Sequence, residues 1–197
     1  VVASKLIDKI FSKIFYEVKT EKELNSYNTE KRDIPYLICH EVSGKSLENI
    51  RYERIWEESP LPLDNPENAF RVISGDFVTT DDGTGIVHTA PTFGADDYKA
   101  AKSAKPEVPP LQVLDKNGIK VPLVDLKGKF IDGIGLISGK YVKNEYYESD
   151  CIPEKSVDVE ISIRLKELNR AFKVERYSHS YPHGWRTDKP VLYYPME

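Results

Sequence analysis

The stretch "GTGIVHTAPTFGADDYKAA", residues 83–101, gathers a histidine, threonine hydroxyls, an aromatic ring and two adjacent carboxylates between glycine-marked turns. His88 follows the apolar pair Ile86-Val87, and Gly83 and Gly85 permit close approach of backbone to a neighbour. An imidazole delivered there by a strand can line a small pocket or handle a proton. Thr89 and Thr92 add hydroxyls, Pro91 stiffens the exit, and Gly94 lets the chain fold before Ala95-Asp96-Asp97. A carboxylate in the first turn of a helix lies near the positive end of the helix dipole and suits a cationic ligand group such as an amino acid's ammonium. The same spacing also fits a plain helix cap and its neighbour. The residues alone define a candidate pocket with no reaction attached.

The elements that must position these groups read as follows. Leu6, Ile10 and Ile14 share one helical face at the start of the chain, beside Ile7 and Phe11. A polar stretch, "KTEKELNSYNTEKRD", precedes two expected strands in "IPYLICHEVSG" and "ENIRYERIW". "EESPLPLDNPENA" carries three prolines and reads as an irregular loop, while "FRVISGDFVTTDDGTGIVHTA" reads as two strands ending at His88. "DDYKAAKSA" predicts a short helix, residues 105–130 short strands and loops around Asn117-Gly118, and residues 157–170 a second helix carrying Val157, Ile161, Leu165 and Leu168. Many short strands with few helices imply an α+β fold around a barrel-like or multi-sheet β core.

Composition narrows the partners. With 40% hydrophobic and 30% charged residues, the chain suits a globular fold, and no apolar run approaches the ~18 residues needed to span a bilayer. Lysine and arginine number 28 against 32 acidic residues, a net charge of -4, so any nucleic-acid contact must be local. Basic and aromatic residues do interleave at "RYERIW" and "KYVKNEYY", each of which equally fits a strand with one solvated face. Cys39 and Cys151 are isolated, which points to a reducing, cytoplasmic setting without a structural zinc site. His179 and His183 stand four apart, but Pro182 between them opposes a helix, so packing is preferred to metal binding. The chain lacks an initiator methionine and reads as cut from something longer.

"GTGIVHTAPTFGADDY" and, far downstream, "SHSYPHGWRTDKPVLYYP" together resemble the editing domain inserted in the Rossmann core of the isoleucyl-tRNA synthetase family, a class I aminoacyl-tRNA synthetase. "GKSLENIRYERIW" resembles the same family's segment before its proline-rich loop. The likeness covers most of the chain and implies a β-barrel-like editing domain of the valyl/leucyl/isoleucyl type over residues 1–178. Residues 179–197 then return toward the Rossmann core. It implies hydrolysis of tRNA-Ile mischarged with valine, at the tRNA acceptor end. The family pattern makes Asp97 the holder of the ammonium and His88 the residue that keeps the isoleucyl side chain out, with Thr89 and Phe93 shaping the pocket. The editing domain would need no cofactor; ATP and magnesium belong to the catalytic core in the remainder of the synthetase.

Two departures accompany the likeness. The family's threonine-rich pocket wall should lie upstream of residue 1, which would leave this chain alone a weak hydrolase, or a noncatalytic module holding the aminoacylated tRNA end. Gly184 stands where the family usually has cysteine. The editing domains of valyl- and leucyl-tRNA synthetases fit the two motifs less well.

Overall fold

A computed structural model describes residues 1–176 and 180–194. It groups the chain into two compact units, Val1–Ile50 with Val72–Thr89, and Arg51–Arg71 with Ala90–Glu197.

In the first unit the opening helix is shorter than its apolar spacing predicts. A 3-10 turn, Ser4–Leu6, runs into α1, Ile7–Ile10, and Phe11 already leaves the helical region at φ -98°, ψ 62°. Lys13 is left-handed at φ 64°, so Ile14 lies outside the helix and half exposed. Aromatic packing takes over here: Phe11 stacks on Tyr36 with centroids 4.6 Å apart and meets Phe15 edge-on at 5.4 Å. Strand β1, Phe15–Val18, pairs in parallel with β2, Ile34–Leu37, in the register Phe15↔Ile34 to Val18↔Leu37. Parallel neighbours need a long crossover, and the polar stretch between them supplies it. That crossover contains α2, Glu21–Asn25, started by the Thr20 hydroxyl accepting from the Glu23 N–H at 3.2 Å, while the Glu23 carboxylate accepts from the Lys19 N–H at 2.8 Å.

The second unit holds α3, Ala95–Ser103, a hairpin of β3, Gln112–Leu114, with β4, Lys120–Pro122, and α4, Val157–Glu167. Its core is Ile134, Ile137 and Val157, packed by Trp56, Leu123, Phe130, Ile131 and Ile161. Two turns of one make shape this unit. Asp115 accepts from the N–H groups of Asn117 and Ile119 at 2.8 and 2.9 Å, and Asp125 accepts from those of Lys127 and Lys129, both at 2.8 Å. Each turn closes on a glycine at φ 78°, Gly118 and Gly128.

Donation by the Ile119 N–H, with help from Asn117, holds the Asp115 carboxyl below the usual aspartate range. Its contribution to stability is therefore present above the unfolded value of ~3.9 and is lost as pH falls through the lower folded value. The NMR amide shifts of Asn117 and Ile119 should titrate together with a midpoint below the ordinary aspartate value. Asp115→Ala should abolish that titration and loosen the hairpin. A midpoint at or above the ordinary value would contradict the geometry.

The fold is thus α+β, with two open two-stranded sheets among the described residues. The expected strands at 48–56 and 70–90 do not form. Only an isolated Arg51↔Arg71 bridge is present in that region, because Asn49 and Phe70 adopt left-handed φ values of 67° and 53° that interrupt a ladder. Farther on, the Thr84 hydroxyl accepts from the Ile86 N–H at 3.3 Å and donates to the Ile86 carbonyl at 3.0 Å, using up groups that a strand would offer to a neighbour.

Candidate functional site

The first unit contains His88 and Thr89, and the second contains Phe93 and Asp97. His88 is exposed on irregular backbone, not at the end of a strand, and Thr89 is half-buried. The glycines before them do serve a close approach. Gly83 and Gly85 are left-handed at φ 68° and 76°, and a Cβ on Gly85 would fall 2.6 Å from the Ala3 Cβ. The Ala3 N–H donates to the Thr84 carbonyl at 2.8 Å, so these glycines seat the first residues of the chain against the His88 segment.

Asp96 and Asp97 divide their roles. Asp96 is exposed and pairs with Lys99 at 3.3 Å along the outside of α3. Asp97 is half-buried and turns back across the helix start, where Oδ2 accepts from the Ala90 N–H at 3.0 Å. Gly94 is the N-cap and has no side chain to offer, and among the described residues no side chain caps the N–H groups of the first turn; the Asp97 carboxylate instead ties the helix start to the preceding turn at Ala90. The fit is tight: a Cβ on Gly94 would lie 2.6 Å from Asp97 Oδ2 and 2.8 Å from its Cγ. No cationic side chain pairs with Asp97 among the described residues, and its Oδ1 has no protein donor there. The result is a carboxylate at a helix N-terminus with one oxygen fixed and the other open to a cationic ligand.

The turn that carries this group is rigid. The N–H groups of Phe93 and Gly94 both donate to the Ala90 carbonyl, at 3.0 and 3.2 Å. Thr92 is buried, and its hydroxyl accepts from the Leu111 N–H at 3.0 Å while donating to the Leu111 carbonyl at 3.4 Å. Thr92 is therefore an anchor for the turn, a role its position in the motif did not reveal. Phe93 is half-buried, and its ring meets Tyr194 edge-on at 6.4 Å. Tyr194 went unnoticed in the sequence because nothing local links it to residue 93.

In the C-terminal segment, His183 Nδ1 lies 2.8 Å from the Tyr181 carbonyl, and the Gly184–Thr187 turn closes on Lys189, with the Gly184 N–H donating to its carbonyl at 2.9 Å. Trp185 is exposed with the Arg186 guanidinium 4.4 Å over its ring, which is ordinary surface stacking. His179 lies outside the described residues. Among the described residues no group of His, Cys, Asp and Glu could hold a metal ion, and no helix is long and apolar enough to cross a membrane.

No protein-family model matches the chain. Curated relatives do. The isoleucine–tRNA ligase of Cytophaga hutchinsonii is 46% identical over 203 aligned residues, covering 98% of this chain and 18% of the relative. Those of Porphyromonas gingivalis and Bacteroides fragilis are 46% and 44% identical over 87% and 90% of this chain, each match covering 16% of the relative. All three are aminoacyl-tRNA ligases. The chain belongs to the isoleucine–tRNA ligase family and spans less than a fifth of the length of these relatives.

Proposed function

We propose that this segment is the editing domain of an isoleucine–tRNA ligase and that it hydrolyses the ester of tRNA-Ile mischarged with valine. The observation that carries the proposal is the Asp97 carboxylate, anchored by the Ala90 N–H through one oxygen and open through the other. The substrate's α-ammonium pairs with that free oxygen and presents the ester carbonyl to water. Water adds to the carbonyl carbon, the bond to the ribose oxygen breaks, and the ribose oxygen takes the proton, releasing valine and free tRNA. His88 limits the side chain admitted, and Thr89 and Phe93 help to shape the pocket. The barrel-like form of this domain type, its extent over 1–178 and the return of 179–197 toward the synthesis core belong to the same proposal. So do the tRNA-Ile acceptor end as partner, ATP and magnesium use in the rest of the ligase, and a cytoplasmic setting.

A second filter is needed because one methylene in an apolar pocket supplies only ~1–3 kcal/mol, a limit usually illustrated by isoleucine and valine on this very family of enzymes. The test is deacylation of valyl- and isoleucyl-tRNA-Ile by the complete ligase. The valyl ester should be hydrolysed in preference. His88→Ala should raise hydrolysis of the isoleucyl ester and shrink the preference by roughly 10-fold or more. Tight binding of valyl-tRNA without hydrolysis would instead identify a noncatalytic holding module.

A further inference from the structure

The second unit has an open cleft of about 520 Å³ whose wall brings together Tyr141, Tyr146, Tyr194, Lys127 and Lys189. Among the described residues no carboxylate is part of its lining, though the charges of Asp125 and Glu145 reach Tyr194 and Tyr146. We propose that this cleft seats unpaired ribonucleotides, with bases against the tyrosine rings and phosphates at the two lysines. The strand is taken to be the 3′ end of the acylated tRNA, and to that extent the inference rests on the function proposed above.

The segment "KYVKNEYY" resolves into two different jobs. It is not a regular strand: Tyr141 makes one bridge to Lys129, and Asn144–Tyr146 forms a 3-10 turn. Its lysines face α4, where Lys140 pairs with Glu160 at 2.5 Å and Lys143 lies 3.8 Å from Asp158. Two of its tyrosines, Tyr141 and Tyr146, line the cleft. The Tyr146 hydroxyl donates to the Pro190 carbonyl at 2.6 Å, and its ring lies so close over Gly128 that a Cβ there would come within 2.7 Å. The Tyr141 ring is held edge-on by Tyr147 at 4.7 Å and Tyr146 at 6.3 Å, and its N–H donates to the Tyr147 hydroxyl at 3.1 Å. These rings are fixed before any ligand arrives, so ordering them adds little to the cost of binding.

The cations come from elsewhere. Lys127 projects from the Asp125 turn and Lys189 from the end of the Gly184 turn. Both are exposed, and neither has an acidic partner among the described residues. Burial, with the charge of Asp125 near Tyr194 and of Tyr181 and Glu145 near Tyr146, raises both hydroxyls above the usual tyrosine value, so they stay neutral at physiological pH. Rings that accept any base face, beside unpaired ammonium groups, form the recognition chemistry of single-stranded nucleic acid. Tyr194 also touches Phe93, which connects the cleft wall to the turn that positions Asp97.

The test uses the complete ligase and a fluorescent single-stranded oligoribonucleotide of about eight residues, read by anisotropy across a salt series. Lys127→Gln combined with Lys189→Gln should weaken binding and flatten the plot of log affinity against log salt by about 1.4, two phosphate contacts at ~0.7 each. Tyr194→Leu should weaken binding roughly 10-fold at every salt concentration. An unchanged affinity and slope in the lysine variant overturns the inference, whatever the tyrosine variant does. Deacylation separates the two readings. A ligase that hydrolyses valyl-tRNA while the lysine variant alters neither oligonucleotide binding nor the KM for tRNA keeps the editing function and loses this cleft. A ligase that binds the oligonucleotide as described but hydrolyses nothing keeps the cleft and loses the editing function.

Discussion

Asp97→Asn is expected to lower hydrolysis of valyl-tRNA-Ile by the complete ligase about 100-fold or more, with synthesis of isoleucyl-tRNA unaffected. Asparagine suits the test because it separates the two things the carboxylate does. Its amide oxygen can still accept from the Ala90 N–H, which Asp97 Oδ2 holds at 3.0 Å, so the start of α3 keeps its tie to the preceding turn. What it cannot supply is the negative charge opposite the substrate's ammonium. A charge-assisted contact is roughly twice as strong as a neutral one, and losing it leaves the ester without a fixed orientation toward water. Asp97→Ala removes the hydrogen bond to Ala90 and the charge together, adding about 1 kcal/mol of lost stability to the same catalytic defect. Asp96→Asn is the matched control. That carboxylate is exposed, faces Lys99, and should change hydrolysis little. If Asp97→Asn deacylates at the normal rate, the ammonium is held elsewhere and the proposed function fails at its central contact.

How much could be read from the sequence depended on how local each determinant is. Helix α3 follows from neighbours: Gly94 admits the turn, acids fill the first turn and alanines continue it, so Ala95–Ser103 was expected almost as found. The hairpin around Asn117-Gly118 and helix α4 are similarly local. Strand β1 was missed because Ile14 and Phe15 extend a helical apolar spacing, and only Lys13's left-handed backbone and the stacking of Phe11 on Tyr36 end the helix. The failed strand before His88 has the opposite cause, a threonine hydroxyl that satisfies Ile86 locally.

The site divides the same way. The adjacent aspartates announced a helix cap and an outward neighbour; Asp96 does turn outward, but Asp97 bonds the Ala90 N–H instead of capping, in the space that the bare Cα of Gly94 leaves to its carboxylate. The tyrosine and lysine cleft had only one legible fragment, since Lys127, Tyr141, Lys189 and Tyr194 meet through the fold alone.

The carboxylate's place over Gly94 leads to the second large effect: Gly94→Ala should reduce valyl-tRNA hydrolysis by about 100-fold while leaving the protein folded. The backbone at residue 94, φ -128° and ψ 131°, is extended and open to any L-residue, so alanine brings no conformational strain. Its methyl group, however, must occupy a point 2.6 Å from Asp97 Oδ2, 2.8 Å from its Cγ and 3.1 Å from its Cβ. Oδ2 can move by side-chain rotation, but Cβ is tied to the helix, so the carboxylate swings off the Ala90 N–H. A displacement of about 1 Å at a group that orients a reacting ester is enough for that loss of rate. Thermal unfolding should show a change of only about 1 kcal/mol, the value of the lost hydrogen bond between Ala90 and Asp97. The kinetics then discriminate between mechanisms: misplacing the ammonium lowers kcat/KM for the valyl ester without changing the salt dependence of tRNA binding. Should Gly94→Ala instead hydrolyse normally, the Ala90-bound position of the Asp97 carboxylate is not the one used in the reaction.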